Sequence, residues 1–208
     1  MTTTTRANFL PEQRFLPLRP ALQEHLAKLG AAISSSNFLS ICDEMILKLL
    51  KETFARIGAD EGSIWLLDQE KQHLVATYNS GPNTAKIVGF KQPISKGIIS
   101  LVVASEHPFV ENEVYNNVDH SNALDKELHK ATYSMIVVPL YFLNEVRGVI
   151  SCVQLQDVEI RDGKPVPKGE KPSGFRPEDL NAIQTISAVV RDLIDYRLLG
   201  TAIGWNRL

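Results

Sequence analysis

The chain has no strong excess of either charge and no long apolar run. Its 208 residues carry 22 lysine and arginine residues against 24 aspartate and glutamate residues, a formal net charge of −2. So small a net charge gives no overall electrostatic reason to expect nucleic acid or an anionic membrane as a partner. No apolar run approaches the roughly 20 residues that span a bilayer, and residues 1–6 lack the apolar core of a secretory signal. The sequence therefore predicts a cytoplasmic protein that binds neither nucleic acid nor membrane.

Cysteine is also scarce. The two cysteines, Cys42 and Cys152, lie in apolar contexts and in different predicted elements. A disulfide framework or a metal cluster needs more ligands at regular spacing, so both are predicted to be buried, reduced thiols. The spacing of His107, His120 and His129 matches no metal-binding motif. Loop histidines are the commoner interpretation of that pattern, and no metal site is predicted.

The common catalytic motifs are absent as well. The sequence contains no Gly-x-Ser-x-Gly elbow, no phosphate-binding loop that ends in Gly-Lys-Ser/Thr, and no His-Glu-x-x-His pair. The sequence therefore gives no positive signal for an enzyme. A redox or nucleotide-processing enzyme remains a third alternative, behind two binding functions described below.

A pair of β-branched, apolar runs is the strongest structural signal that is present. Residues 134–142 and 147–156 are separated by a short link that contains Asn144. Such runs favour strands, and the short link predicts an antiparallel hairpin at the centre of a sheet. On the second strand, the side that carries Val149 and Val153 is the more apolar, and we expect it to face the helices of the main core. The opposite side, with Cys152 and the glutamines, is expected to line a partly wet cavity or to have a thinner cover.

The remaining chain supplies helices and further strands around this hairpin. Apolar residues recur at helical spacing over 20–33, 38–57 and 180–198, and this periodicity predicts three amphipathic helices. Gly58 and Gly200 are predicted to end the second and third of them. Shorter predicted elements are a hairpin over 63–68 and 74–78, a weak strand near 87–90, a helix over 98–104, a strand at 109–110 and a helix over 123–130.

These elements belong to one predicted domain, because 208 residues would be cramped as two. Residues 1–19 are predicted to form an extended N-terminal arm, since no periodicity is sustained there. The domain covers residues 20–199, and residues 200–208 form a C-terminal tail. Glycine, proline and charged residues dominate 157–174. Because such a composition buries little apolar surface, this segment is predicted to be a mobile loop.

The order of these motifs resembles that of a GAF domain, over about residues 37–199. The motifs are Gly-Ser-Ile-Trp-Leu-Leu-Asp at 62–68, Pro-Ile-Ser-Lys-Gly-Ile at 93–98, Ser-Met-Ile-Val-Val-Pro-Leu at 134–140, Arg-Gly-Val-Ile at 147–150 and Phe-Arg-Pro-Glu-Asp at 175–179. GAF domains are the small-molecule-sensing modules of cyclic-nucleotide phosphodiesterases, phytochromes and bacterial signalling proteins. The motifs are fairly specific for the fold in this order and spacing, and they specify no ligand.

The resemblance implies an α+β fold with a central antiparallel sheet of five or six strands. The N- and C-terminal helices would bundle on one face, and short helices and loops, here 97–106 and 115–133, would roof a pocket on the other. The residues predicted to line this pocket are Thr77, Ile87, Gly97, Ile98, Asn116, Asp119, Asn122, Tyr133, Ser134 and Gln154. For the asparagines and the aspartate, a role in turns or helix caps remains the alternative.

At several positions this sequence differs from GAF domains with known ligands, and these differences limit which cofactor is expected. Cyclic-nucleotide-binding members carry Asn-Lys after the last central strand and a Phe, Asp and Glu near the final helix. Here the matching positions are Gln154-Leu155, Phe175, Asp179 and Leu180, so the lysine and the glutamate are missing. Cyclic nucleotide binding is therefore doubtful. Covalent bilin is not expected because residues 97–133 contain no cysteine, and Cys42 and Cys152 do not reproduce the cysteine set of methionine-sulfoxide-reducing members.

The resemblance leaves two main hypotheses for function. The first is a sensory domain that binds a small molecule and relays its occupancy through the terminal helices, as a homodimer and with an effector domain or protein partner. The second is a degenerate module whose pocket is filled by its own side chains and which acts only in dimerisation or protein–protein interaction.

Overall fold

A computed structural model describes residues 13–161 and 164–205 of the chain. The α-helices of this part are α1 (Arg19–Ala32), α2 (Phe38–Ile41), α3 (Glu44–Arg56), α4 (Thr84–Ile87), α5 (Ile98–Ser105), α6 (Ala123–Leu128) and α7 (Pro177–Ala202). The strands are β1 (Glu61–Leu67), β2 (His73–Asn79), β3 (Lys91–Pro93), β4 (Phe109–Asn112), β5 (Lys130–Phe142), β6 (Glu145–Arg161) and β7 (Lys164–Lys168). Two 3₁₀ helices span Gln13–Leu18 and Val114–Asn116.

The strands form one antiparallel sheet in the order β3-β2-β1-β6-β5-β4, with β7 paired to the far part of β6. The β5–β6 hairpin therefore lies at the centre, as the sequence predicted. Helices α1, α3 and α7 lie together on one face, and α4, α5 and α6 cover the other. The predicted α+β fold, with six strands in the main sheet, is confirmed.

The tip of the central hairpin is tied to both terminal helices. Leu143 and Asn144 form a two-residue turn with φ values of 54° and 60°, which suits the twist of an antiparallel hairpin. The left-handed conformation is unfavourable for leucine, but Leu143 packs directly on Gly30 of α1, where an added Cβ would lie 2.7 Å from Leu143 Cδ1. Its backbone N–H donates to Asp195 Oδ1 of α7 at 2.7 Å. The central hairpin therefore contacts both α1 and α7 directly.

The two faces of β6 are the reverse of the sequence prediction. Ile150 and Cys152 belong to the main core beneath α3 and α7, whereas Val149 and Val153 face the roof. The prediction was wrong because both faces are covered, so the difference in apolarity did not identify the helix side. Large side chains from the helices, such as Phe54, fill most of the main core, so the side of β6 that faces it needs few large apolar side chains.

Close packing explains two glycines in the sheet, one against a helix and one against the neighbouring strand. The ring of Phe54 occupies the position above Gly62, where an added Cβ would lie 2.1 Å from Phe54 Cδ2. At Gly148, an added Cβ would lie 1.8 Å from the backbone oxygen of Trp65 on the neighbouring strand. Neither position can take a side chain without movement of the backbone or the ring.

Several predicted boundaries change. The predicted helix over 38–57 is two helices, because Asp43 accepts a hydrogen bond from Ile46 N at 2.9 Å and caps a new start. Gly58 ends α3 with a φ of 69°, as predicted. Gly200 does not end the last helix but is buried inside α7, which continues to Ala202.

The predicted extended arm and mobile loop also contain regular structure. Residues 13–18 form a 3₁₀ helix rather than an extended chain, and residues 1–12 lie outside the described part. Within 157–174, the β6–β7 ladder pairs residues 157–161 with 164–168, so this part is not a loop. Backbone pairing needs little apolar burial, and β7 lies at an edge, where prolines are tolerated. The mobility of 157–174 stays a prediction, and residues 162–163 and 206–208 lie outside the description.

None of the helices in the described ranges is long and apolar enough to cross a membrane.

Candidate functional site

A cavity of about 70 Å³ lies between the sheet and the roof, under α4, α5 and α6. It is lined by Glu61, Ser63, Trp65, Ile87, Phe90, Gln92, Gly97, Ile98, Ile99, His120, Ser121, Leu124, Asp125, Leu128, Thr132, Met135, Ser151, Val153 and Leu155. Ligand pockets for drug-sized molecules measure roughly 300–1,000 Å³, and one water takes about 30 Å³ of the liquid. In this arrangement of the roof, the cavity accommodates only a few non-hydrogen atoms.

One end of the cavity is aromatic and apolar. Trp65 and Phe90 meet edge to face, with ring centroids 6.3 Å apart and an interplanar angle of 87°. Trp65 Nε1 donates to Ser151 Oγ at 3.0 Å, which satisfies the indole N–H inside the apolar surroundings. Ile98 and Ile99 of α5 close this end from above.

The other end carries a buried carboxylate. Glu61 is 2% exposed, and its Oε2 accepts from Asn79 Nδ2 at 2.6 Å. Its Oε1 accepts from Asn83 Nδ2 at 2.5 Å and from Asn83 N at 3.1 Å. The turn before α4 must approach closely, and an added Cβ at Gly81 would lie 1.9 Å from Glu61 Oε2. Ser63 Oγ donates to Asn79 Oδ1 at 2.7 Å and extends the network.

A second carboxylate holds the roof to the sheet. Asp125 of α6 accepts from Thr132 Oγ1 at 2.6 Å and from Thr132 N at 3.0 Å. His120 Nε2 lies 3.0 Å from Asp125 Oδ2. Thr132 stands where the register of β5 shifts, so Asp125 satisfies a backbone N–H beside the irregularity. We call the trio Asp125, His120 and Thr132 the roof latch.

Gln92 joins two further parts of the roof. Its Nε2 donates to the backbone oxygen of Lys96 at 2.9 Å, and its Oε1 accepts from Ser121 Oγ at 3.1 Å. Gly97 lies between them with a φ of 85°, and an added Cβ there would lie 3.0 Å from Ser121 Cβ. The side chains of Gln92, Ser121 and Asp125 therefore have partners within the protein before any ligand is bound.

Both thiols lie away from the cavity, in the main core on the opposite face of the sheet. Burial raises the pKa of the Cys42 thiol to about 12, against a smaller opposing effect of Arg197. Burial also raises the pKa of Cys152. The prediction of two buried, free thiols is confirmed. A thiol with a raised pKa is a poor nucleophile at neutral pH.

Three of the ten predicted pocket residues line the cavity: Ile87, Gly97 and Ile98. Asp119 and Asn122 line a neighbouring groove of about 690 Å³. This groove shares five lining residues with the cavity: Phe90, Gln92, Gly97, His120 and Ser121. Asn116 ends a 3₁₀ helix and does not border the cavity.

The other four predicted residues point elsewhere. Thr77 Oγ1 donates to the backbone oxygen of Ile64 at 3.1 Å, and Tyr133 stacks on Tyr115 with centroids 6.2 Å apart. Gln154 and Ser134 are paired across β5 and β6, and neither borders the cavity.

The buried amide of Gln154 needs hydrogen-bond partners in its largely apolar strand, and the backbone of two loops supplies them. Its Nε2 donates to Gly58 O at 3.1 Å, and its Oε1 accepts from Gly174 N at 2.9 Å. These contacts join loops around the helix bundle.

Sequence reasoning missed the polar side chains that do line the cavity. They are Glu61, Ser63, Gln92, His120, Ser121, Asp125, Thr132 and Ser151. One signal was available, because Glu61, Ser63 and Trp65 alternate along a strand and therefore share a face. This signal was missed because the side of β6 that faces the cavity was predicted to face the helices of the main core. Among the described residues, no group of three or more His, Cys, Asp or Glu side chains is placed to hold a metal ion.

Comparison with known proteins gives one family and several structures. A family model described as a GAF domain matches residues 43–195. The GAF domain of an Acinetobacter phosphoenolpyruvate-protein phosphotransferase is 17% identical, with a TM-score of 0.54 over 89% of this chain and 96% of that chain. The GAF domain of a two-component sensor histidine kinase from Bacillus halodurans is 14% identical, with a TM-score of 0.54 over 76% and 97%. Free methionine-R-sulfoxide reductase from Neisseria meningitidis, solved with its substrate, is 16% identical, with a TM-score of 0.51 over 94% and 96%. At these identities the likeness concerns the fold alone, and no curated protein matches the chain.

Proposed function

This chain belongs to the GAF domain family, and from that premise we propose that it is a signalling module which binds a small molecule beneath its roof. The observation that carries the proposal is the cavity, which has a polar end at Glu61, an aromatic end at Trp65 and a short-helix roof. An apolar cavity with a few placed polar groups is typical of small-molecule sites. The domain would relay occupancy through α1 and α7.

A physical route supports such a relay. Ser151 and Val153 of β6 line the cavity floor, and the tip of the same hairpin contacts α1 at Gly30 and α7 at Asp195. Ser187 Oγ of α7 also donates to the backbone oxygen of Pro139 on β5 at 3.0 Å. A ligand shifts the arrangement of these helices only if it binds one arrangement better than another.

The size of the cavity limits the ligand. A volume of about 70 Å³ takes a molecule of a few non-hydrogen atoms, and a larger ligand would have to extend into the neighbouring groove, which shares Gly97 and His120 with the cavity. We therefore propose neither a cyclic nucleotide nor a covalently attached bilin, and the cavity lining includes no cysteine. We propose no catalysis by the thiols of Cys42 and Cys152, because both are buried on the other face of the sheet.

A matched pair of variants tests the proposal in a thermal-shift screen of small metabolites. Val153→Phe fills the cavity, and Leu101→Phe adds a ring on the exposed side of α5. A ligand at about 100 times its Kd adds about 2.7 kcal/mol of stability, or about 5–10 °C for a chain of this size. We expect hits with the wild type and Leu101→Phe that are lost with Val153→Phe. Hits retained by Val153→Phe, or none with any chain, contradict the proposal.

A second candidate function is self-association without a ligand. Val189 and Tyr196 are exposed on α7 seven residues apart, so they share one face of the helix. Ile203, the residue that follows α7, is exposed seven residues after Tyr196. Such a stripe suits a second copy of the chain. This candidate predicts that Tyr196→Lys lowers the sedimentation coefficient towards that of a monomer, whereas Gln184→Lys, elsewhere on α7, does not. Stability that rises with protein concentration, with no thermal-shift hit, would favour this function over sensing.

A further inference from the structure

The cavity is acidic, although the chain as a whole is close to neutral. Two carboxylates, those of Glu61 and Asp125, border it, and its described lining includes no lysine or arginine side chain. His120 is the single basic group of the lining and lies against Asp125. Low-dielectric walls strengthen the potential of such charges. The cavity therefore favours a positive ligand over a negative one.

Glu61 is the carboxylate without a cationic partner. Within the described residues it accepts hydrogen bonds from amides only, two from Asn83 and one from Asn79, and forms no ion pair. A buried charge is costly unless it is both paired and hydrogen-bonded. A cation bound at Glu61 would supply the missing pair.

The hydrogen bonds of Glu61 leave room for one more donor. A carboxylate has about four acceptor sites. Asn83 N and Asn83 Nδ2 occupy Oε1, whereas Oε2 accepts only from Asn79 Nδ2. Among the described residues, one acceptor site on Oε2 is therefore not taken by a hydrogen-bond donor, although Gly81 packs closely against the same oxygen. The amides also hold the carboxylate in place before binding, which reduces the cost of ordering it.

The apolar part of the cavity gives the ligand a direction. Trp65 follows Glu61 by four residues on the same face of β1, so their backbones are roughly 13 Å apart. Apolar side chains such as Ile98 and Val153 line the same cavity. A positive group at Glu61 would leave an attached hydrocarbon chain pointing along β1 towards Trp65.

We propose that the cavity binds a small organic cation, an ammonium group held by Glu61 with a short apolar tail directed towards Trp65. The inference rests on the proposed function, because it names the ligand class of the same cavity. Three probes of similar size separate the charge classes: n-propylammonium, 1-propanol and propionate.

Tryptophan fluorescence provides the readout. The chain has two tryptophans, and Trp205 is 75% exposed near the C-terminal end. In a Trp205→Phe background, emission therefore reports on Trp65 inside the cavity. We expect n-propylammonium to change this emission saturably, whereas 1-propanol and propionate at equal concentration and ionic strength do not.

Two carboxylate-to-amide variants locate the charge that matters. Glu61→Gln removes the charge in the cavity, and we expect it to raise the Kd for n-propylammonium by at least about tenfold, as for a lost charge-assisted hydrogen bond. Glu111→Gln is the matched control. Glu111 also accepts from an asparagine, Asn117 Nδ2 at 2.5 Å, but lies outside the cavity. Its Kd should stay within about twofold of the background.

The outcomes separate this inference from the proposed function. Saturable binding of propionate or 1-propanol as tight as that of n-propylammonium overturns the cation while supporting a ligand cavity. An unchanged Kd in Glu61→Gln also overturns the inference. No saturable response to n-propylammonium overturns it as well, and the metabolite screen with Val153→Phe then decides the proposed function separately. If Glu61→Gln does not fold, the comparison of the three probes on the Trp205→Phe protein, whose cavity is unchanged, tests the preference for a cation.

Discussion

Removing Asp125 should open the roof without unfolding the domain. Asp125 accepts two hydrogen bonds from Thr132 and lies 3.0 Å from His120 Nε2. Hydrogen bonds to charged groups contribute about 1.5–3 kcal/mol. If Asp125→Ala lowers the free energy of local opening by that amount, amide exchange in the roof rises about 10- to 150-fold, because about 1.4 kcal/mol corresponds to a factor of ten.

Hydrogen–deuterium exchange followed by mass spectrometry measures this effect peptide by peptide. We expect faster exchange over residues 117–132 in Asp125→Ala and unchanged exchange in α7, whose buried face belongs to the other core. Glu127→Ala is the control, because it removes an exposed carboxylate from the same helix. Unchanged exchange over 117–132, or an equal increase in α7, would refute the role of the roof latch.

Three further predictions concern the main core and the terminal helices. Gly62→Ala should destabilise the domain by about 1–3 kcal/mol, because the added Cβ would lie 2.1 Å from the Phe54 ring. Chemical denaturation should show a smaller loss of stability for the same change in a Phe54→Leu background, and an equal loss in both backgrounds would contradict the contact. Burial raises the pKa of Cys42 to about 12 and also raises that of Cys152, so native thiols should react with a disulfide reagent no faster than the domain unfolds; rapid labelling of the folded chain would refute this. Burial raises the pKa of Asp195, so its stabilising contribution is present below the unfolded pKa and is lost as the pH rises through the folded pKa. As the pH rises from roughly 3 to 7, Asp195→Asn should therefore gain stability relative to the wild type. Thermal melts in which the variant loses stability relative to the wild type over that range would contradict the direction of the pKa shift.

The sequence was sufficient for the fold because its strongest signals are local. The β-branched, apolar residues over 134–142 and 147–156, with a short link that contains Asn144, predicted the central antiparallel hairpin. The motif order then supplied the remaining layers. The ends of the elements were harder to predict because they depend on single contacts, such as the hydrogen bond that Asp43 Oδ1 accepts from Ile46 N.

The site was harder to predict because its residues meet only through tertiary packing. Glu61 and Asp125 are far apart in sequence, and no spacing rule connects them. A buried amide such as that of Gln154 needs hydrogen-bond partners, but its partners are the backbone of Gly58 and Gly174 and not a ligand in the cavity. Polarity within a strand indicates that partners exist, not which face of the sheet they are on.

The most direct test of the central claim is mass spectrometry of small molecules released when the purified protein is denatured. We predict that the wild type and Leu101→Phe release the same small molecule in amounts proportional to protein, and that Val153→Phe releases none. Release of that molecule in equal amount from Val153→Phe would show that it binds elsewhere and would contradict a ligand site between the sheet and the roof.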